Sequence, residues 1–122
     1  MNVDQLVIQP SLLEVLERIE LFVGAVQAVV TGNFETNFKN LTPDVISCDT
    51  SASKKYARIV KSDAPVNGGQ PSSRSVWGFV DLSNGDILKA AGWKAPAKHA
   101  RGNIFDADFS VKNWSAYGPR YL

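Results

Sequence analysis

Apolar residues recur every three or four positions from Leu12 to Val30, a spacing that predicts a helix. Leu12, Val15, Leu16, Ile19, Phe22, Val23, Val26, Val29 and Val30 form the stripe. Glu14, Glu17, Arg18 and Gln27 fall largely on the other side. Ser11-Leu12-Leu13-Glu14 fits a capping box, in which a hydroxyl and a carboxylate satisfy two orphan N–H groups. Gly32 stands where a left-handed cap is expected, so the helix is predicted over residues 11–31. Its second half, LFVGAVQAVV, is apolar almost all round, and such a helix is buried on two sides. One small sheet covers one side. Phe22, Val23, Val26 and Val30 are therefore expected to touch another subunit of a homo-oligomer.

The period changes from Lys54 onward. KKYARIVK, Lys54 to Lys61, and RSVWGFVDL, Arg74 to Leu82, read as strands, joined by a Gly/Pro/Ser loop over 63–73. Asn84-Gly85 is a strong hairpin signal, because both central positions of a type I′ turn need positive φ. A third strand is expected over Ile87 to Ala91, running on toward Trp93. A two-residue turn would pair Leu82 with Ile87, Val80 with Lys89 and Phe79 with Ala90. One face would then carry Val76, Val80, Leu82 and Ile87, and the other Trp77, Phe79 and Leu88. Residues 33–53 show no clear period and are read as irregular, with short helical turns.

After Trp93, Pro96 can open a short helical turn and Gly102 can close it. Lys94, Lys98 and Arg101 would then project to one side. Residues 104–122 hold Phe105, Phe109, Trp114, Tyr117 and Tyr121, so this tail is expected to pack on the domain or a neighbour. The fold class predicted is α+β, a single domain over residues 1–122. It would have a long N-terminal amphipathic helix (11–31) on a small antiparallel sheet of three or more strands (54–92), a basic turn (93–103) and a packed aromatic-rich tail (104–122).

Composition narrows the function. The 122 residues carry a net charge of +1, so any charge argument rests on where the charges sit. The one cysteine, Cys48, allows no internal disulfide. MNVDQLVIQP lacks the basic start of a secretory signal. The longest nearly uncharged apolar run, Leu21 to Val30, is half the roughly 20 residues of a membrane span, so no membrane partner is expected. In an intracellular or intraviral protein, Asn40-Leu41-Thr42 and Asn113-Trp114-Ser115 are chance matches to the glycosylation pattern.

Catalytic chemistry is thinly represented, and the chain is read as no enzyme, without cofactor or metal. With a single histidine, any nucleophile–base pair must use His99, and Cys48 lies far from it in sequence. Asp106-Ala-Asp108 resembles a two-carboxylate magnesium cluster but reads better as a solvated turn. Gly68-Gly69 lacks the lysine and hydroxyl of a phosphate loop. The strongest signal is GDILKAAGWKAPAKHARGN, where Lys89, Trp93, Lys94, Lys98, His99 and Arg101 gather within one stretch. Cations beside an aromatic sheet are a recurring way to hold single-stranded nucleic acid. The same segment also reads as purely structural, with Lys94 and Lys98 as solubilising charges, Pro96 as a turn former and the tryptophans as core.

The block SVWGFVDLSNGDILKAAGWKAPAKHARGNIFD, with KKYARIVK before it and Tyr117-Gly118 after it, resembles one in small bacteriophage-encoded proteins of similar length. The likeness spans about residues 54–121. It implies a phage origin, with the host cytoplasm or the virion as location, and transfers no catalytic residues. Three functional classes follow. One is a binder of an anionic partner, single-stranded nucleic acid. The second is a phage structural or assembly subunit with oligomer contacts on its helix and tail. The third is an inhibitor of a host protein.

Overall fold

The capping box forms and starts a helix longer than its sequence signals imply. In the computed structural model, which describes residues 9–51, 53–64 and 73–120, α1 runs Leu12–Asn37. Glu14 N–H donates to Ser11 Oγ and Ser11 N–H to Glu14 Oε1, each at 3.1 Å. The Ser11 backbone bond, then the hydroxyl bond, hold the Glu14 carboxyl below its ordinary value. Gly32 does not end the helix. The apolar series Val30, Phe34, Phe38 continues at i+4, and Phe34 packs on the core with its ring 5.2 Å from that of Phe38. Phe38 takes the C-cap position, its N–H donating to the Phe34 carbonyl at 2.8 Å.

Five strands, β1 (Val45–Asp49), β2 (Tyr56–Ser62), β3 (Arg74–Asp81), β4 (Asp86–Ala90) and β5 (Pro96–Asn103), form one antiparallel sheet in that order. A 3₁₀ turn, Val111–Asn113, leads into a small ribbon of β6 (Trp114–Ser115) and β7 (Gly118–Pro119). The fold is α+β, with α1 packed on the sheet. Two readings of the sequence are corrected. Residues 33–53 are not irregular: they hold the end of α1 and all of β1. Residues 93–103 are not a helical turn. Ala91 and Gly92 both donate to the Ala95 carbonyl, at 3.0 and 3.2 Å, so the chain has reversed before Pro96. Pro96 then opens β5, a position where its missing N–H costs no interior ladder bond.

The Asn84-Gly85 turn stands where expected, but its register differs by two residues. Val80 pairs with Ile87 and Phe79 with Leu88. The Asp81 carboxylate draws the loop wider by accepting from Ser83 N–H at 2.8 Å and Ser83 Oγ at 2.6 Å. Gly85 N–H donates to the Asp81 carbonyl at 2.8 Å, and Gly85 takes φ +84°. A shift of two preserves side-chain parity, so Val80, Leu82 and Ile87 still share a face. Trp77 joins them, against expectation. A bulge between Ile59 and Val60 in the β2–β3 register turns it toward the helix, while Val76 pairs with Val60 on the opposite face.

The main core lies between α1, the sheet and the tail. Phe22 stands edge-on to Trp77 and Trp114, at 5.7 Å in both cases, and the two tryptophans meet at 5.6 Å. Phe22, Val26 and Val30 are fully buried here within a single chain, and Val23 is half-buried. Phe22, Val26 and Val30 are therefore closed to a second subunit, covered by the sheet and the tail, whereas Val23 keeps one side open beside Cys48. Arg18 fixes that tail: its Nε donates to the Ile104 carbonyl at 2.6 Å, and its guanidinium lies 4.1 Å from the Phe109 ring centre. Gly118, at φ +123°, lets β7 approach β3, where a Cβ would lie 2.6 Å from the Trp77 carbonyl oxygen. Most of the expected 63–73 loop, together with Gly68-Gly69, Tyr121 and the first eight residues, lies outside the described residues.

Candidate anion-binding face

The sheet face opposite α1 carries the cationic and aromatic groups. Directly opposed strand residues share a face, and the register sets Asp49, Arg58, Phe79, Leu88 and Ala100 in one row. Val60, Phe79 and Leu88 are buried although α1 packs on the other side. Part of their cover is the β4–β5 loop. Arg58 Nε donates to the Trp93 carbonyl at 2.8 Å, and its guanidinium carbon lies 4.5 Å from the Trp93 ring centre. The loop therefore folds back across β3 onto β2. Arg58 also bonds Asp49 on β1 at 2.9 Å, so one side chain ties together β1, β2 and the loop.

Arg74 brings a second guanidinium to 5.5 Å from the Trp93 ring centre, and Arg74 itself is exposed. Trp93 is 39% exposed, held in place without being hidden. Lys94, next in the loop, is exposed. Tyr56 stands edge-on to Phe79 at 6.4 Å, with Lys55 Nζ 5.7 Å from its own ring centre. Four cations, Arg58, Arg74, Lys55 and Lys94, and two aromatics, Trp93 and Tyr56, thus lie around one open surface. Asp49 is the acid nearest Arg58, and its carboxyl is held below the ordinary value, chiefly by Ser51 and less by Arg58.

The expected basic cluster is divided by the fold. Trp93 belongs to this face, and Lys94 is exposed next to it in the loop. Lys98 and His99 are exposed on the edge strand β5. Lys89 and Arg101 are corrected, because both are spent on the tail. Lys89 Nζ donates to the Pro119 carbonyl at 3.1 Å, and Arg101 Nε to the Arg120 carbonyl at 2.9 Å. Arg101 Nη1 also donates to the His99 carbonyl, and the residue is buried. In a strand, unlike the expected helical turn, Arg101 and Lys98 do not project together.

Residues 11–116 match the profile of a family of unknown function, DUF7717. The chain belongs to that family. No curated protein and no solved structure matches it. In this DUF7717 chain, Arg58 and Arg74 went unseen as site residues. Each stands in a strand that also holds an aromatic, Tyr56 or Trp77, but neither strand shows that a tryptophan from a later loop will lie against both.

Two other candidate chemistries are placed by the fold. Cys48 on β1 and His99 on β5 occupy opposite edges of the sheet, too far apart to act as a pair. Asp106 and Asp108 close a tight turn: Ser110 Oγ donates to Asp106 Oδ2, and Ser110 N–H to Asp108 Oδ1 at 3.1 Å. Among the described residues, no group of three or more histidines, cysteines or acids is placed to hold a metal ion. No helix among them is long and apolar enough to cross a membrane.

Cys48 lies at the surface, yet its thiol points toward α1. Burial, helped by the Asp49 charge, pushes its pKa up to about 11. The thiolate is the reactive form, so alkylation by iodoacetamide should keep accelerating, about tenfold per pH unit, through pH 8 to 10. A plateau near the ordinary thiol value of about 8.5 would show the sulfur to be fully hydrated.

Proposed function

We propose that this chain is a non-catalytic, phage-encoded binding domain that holds single-stranded nucleic acid against the open face of its sheet, in the host cytoplasm or the virion. The observation that carries this reading is Trp93, fixed over the sheet by Arg58, with the exposed Arg74 and Lys94 beside it. Guanidinium and ammonium groups take phosphates, while aromatic rings stack bases with little regard to sequence. Arg58 is engaged by Asp49, so Arg74 and Lys94 are the groups assigned to phosphate. Trp93 and Tyr56 are assigned to bases, and Lys98 and His99 extend the track at the β5 edge. A net charge of +1 gives little long-range pull, so affinity should be modest and set by the local cluster.

Fluorescence anisotropy with a labelled oligothymidine tests the reading. Binding should appear at low salt and weaken with a log–log slope of about 0.7 per phosphate contact. Replacing Arg74 and Lys94 together by alanine should flatten that slope by roughly one to two contacts. Absence of binding at low salt, or an unchanged slope in the double variant, removes the proposal. A second reading, a subunit of a larger assembly, is favoured by exposed leucines beside β1.

A further inference from the structure

Among the described residues β1 pairs with β2 alone, which leaves its other edge open. Val45–Asp49 contains neither proline nor lysine, two residues that commonly blunt an edge. Gln27 shows which of its peptide groups point outward. Gln27 Oε1 accepts from Ile46 N–H at 2.8 Å, and Gln27 Nε2 donates to the Asp44 carbonyl at 2.9 Å. Ile46 N–H therefore points away from β2, and strand alternation sends the N–H and carbonyl of Cys48 the same way. The glutamine replaces a neighbouring strand at one end only. From Cys48 toward Thr50, no strand among the described residues pairs with this edge.

An apolar groove of about 430 Å³ runs beside the edge, lined by Leu16 and Val23 of α1 and by Cys48 and Thr50. It continues past Leu12 toward Leu82. Leu12 and Leu16, which line this groove, are 57% and 37% exposed. Whatever fills this place must bring both an extended strand and an apolar flank.

We propose that β1 pairs antiparallel with β1 of a second copy, centred on Cys48, so that two five-stranded sheets become one. A second copy supplies both requirements; its Thr50 falls opposite Ile46, whose N–H Gln27 already holds, so the strand bonds of the pairing are the two at Cys48. A two-fold axis at Cys48 places its N–H against the carbonyl of its counterpart, twice. It also lays the Leu12–Leu16–Val23 flank against the same flank reversed. A stable dimer buries about 800 Å² per partner, roughly a tenth of the chain's 7777 Å² surface. The helix flank from Leu12 to Gln27 is about 22 Å long, and with the strand edge it offers a strip of that order. The net charge of +1 sets up no strong repulsion between copies. Glu20 lines the groove but is exposed, so its carboxylate stays in water. The axis stands perpendicular to the sheet, which puts both open faces on the same side of the dimer. The pairing stands or falls independently of any nucleic acid.

The test uses the whole chain without oligonucleotide. Sedimentation at about 100 μM should give a dimer mass, within the range where weak contacts persist. Cys48 is the chain's one cysteine, so a short bis-maleimide should link two copies through it. Leu12→Glu with Leu16→Glu, at two surface positions, should weaken the dimer at least tenfold while circular dichroism shows the fold intact. A monomer at that concentration overturns the proposal, including one whose Cys48 resists maleimide because another segment of the same chain covers the groove. So does a dimer that neither links through Cys48 nor responds to the double substitution.

Discussion

Trp114→Ala should lower the free energy of unfolding by about 3–5 kcal/mol. Trp114 is 2% exposed and closes the core where the tail meets α1. Its ring stands edge-on to Phe22 and Trp77, and its Nε1 donates to the Phe109 carbonyl at 2.8 Å. Truncation removes both aromatic pairs, leaves that carbonyl without its donor and opens a cavity that Phe22 and Trp77 cannot fill without leaving their rotamers. A domain of this size has about 5–15 kcal/mol in all, so the variant should sit near its unfolding threshold at 37 °C. Urea denaturation followed by circular dichroism measures the loss. A change under about 1 kcal/mol would mean that the tail is dispensable to the core.

Arg58→Ala should cost about 2–4 kcal/mol, and Arg58→Lys should recover little of it. The side chain is only 8% exposed, and it serves Asp49 through Nη1, the Trp93 carbonyl through Nε and the Trp93 ring through its plane. An ammonium has neither the fork nor the plane. The loop over Phe79 should loosen, seen as faster amide exchange at residues 91–95 than in the Trp114 variant. Asp49 adds a pH dependence. Its carboxyl pKa is lowered in the fold, by Ser51 first and Arg58 after. The stability it contributes is present above the unfolded value of about 3.9 and is lost as pH falls through the lowered folded value. Stability within about 0.5 kcal/mol of wild type would show that the loop is held by other contacts.

Local signals predicted local structure well, and contacts between distant segments decided the rest. Ser11 and Glu14 made both bonds of the capping box because those bonds span three residues. Asn84-Gly85 located a turn but not its width, since the Asp81 side chain competes for the loop. β1 was invisible because VISCD is short and carries little period. Its place depends on Gln27, whose side chain reaches the peptide groups at Asp44 and Ile46 from the helix. PAKHARGN reads as a turn until Arg101 is seen bound to the Arg120 carbonyl. The candidate site shows the same division. Trp93 and Lys94 stood out as an aromatic among cations. Arg58 and Arg74 did not, because only the strand register and the fold-back of the 91–95 loop bring them to the same ring. Lys89 and Arg101 looked available for the opposite reason, since the tail carbonyls that occupy them lie 19 to 30 residues away.

The claim that the open face around Trp93 receives an anionic chain is tested most directly by titrating the ¹⁵N-labelled protein with oligothymidine at low salt. The Trp93 indole N–H and the amides of Tyr56, Arg74 and Lys94 should shift together and saturate together. The amides of α1 and the tail ribbon should stay in place. Shifts confined to the β6–β7 ribbon or to α1, or no shifts at any oligonucleotide concentration, would contradict the account.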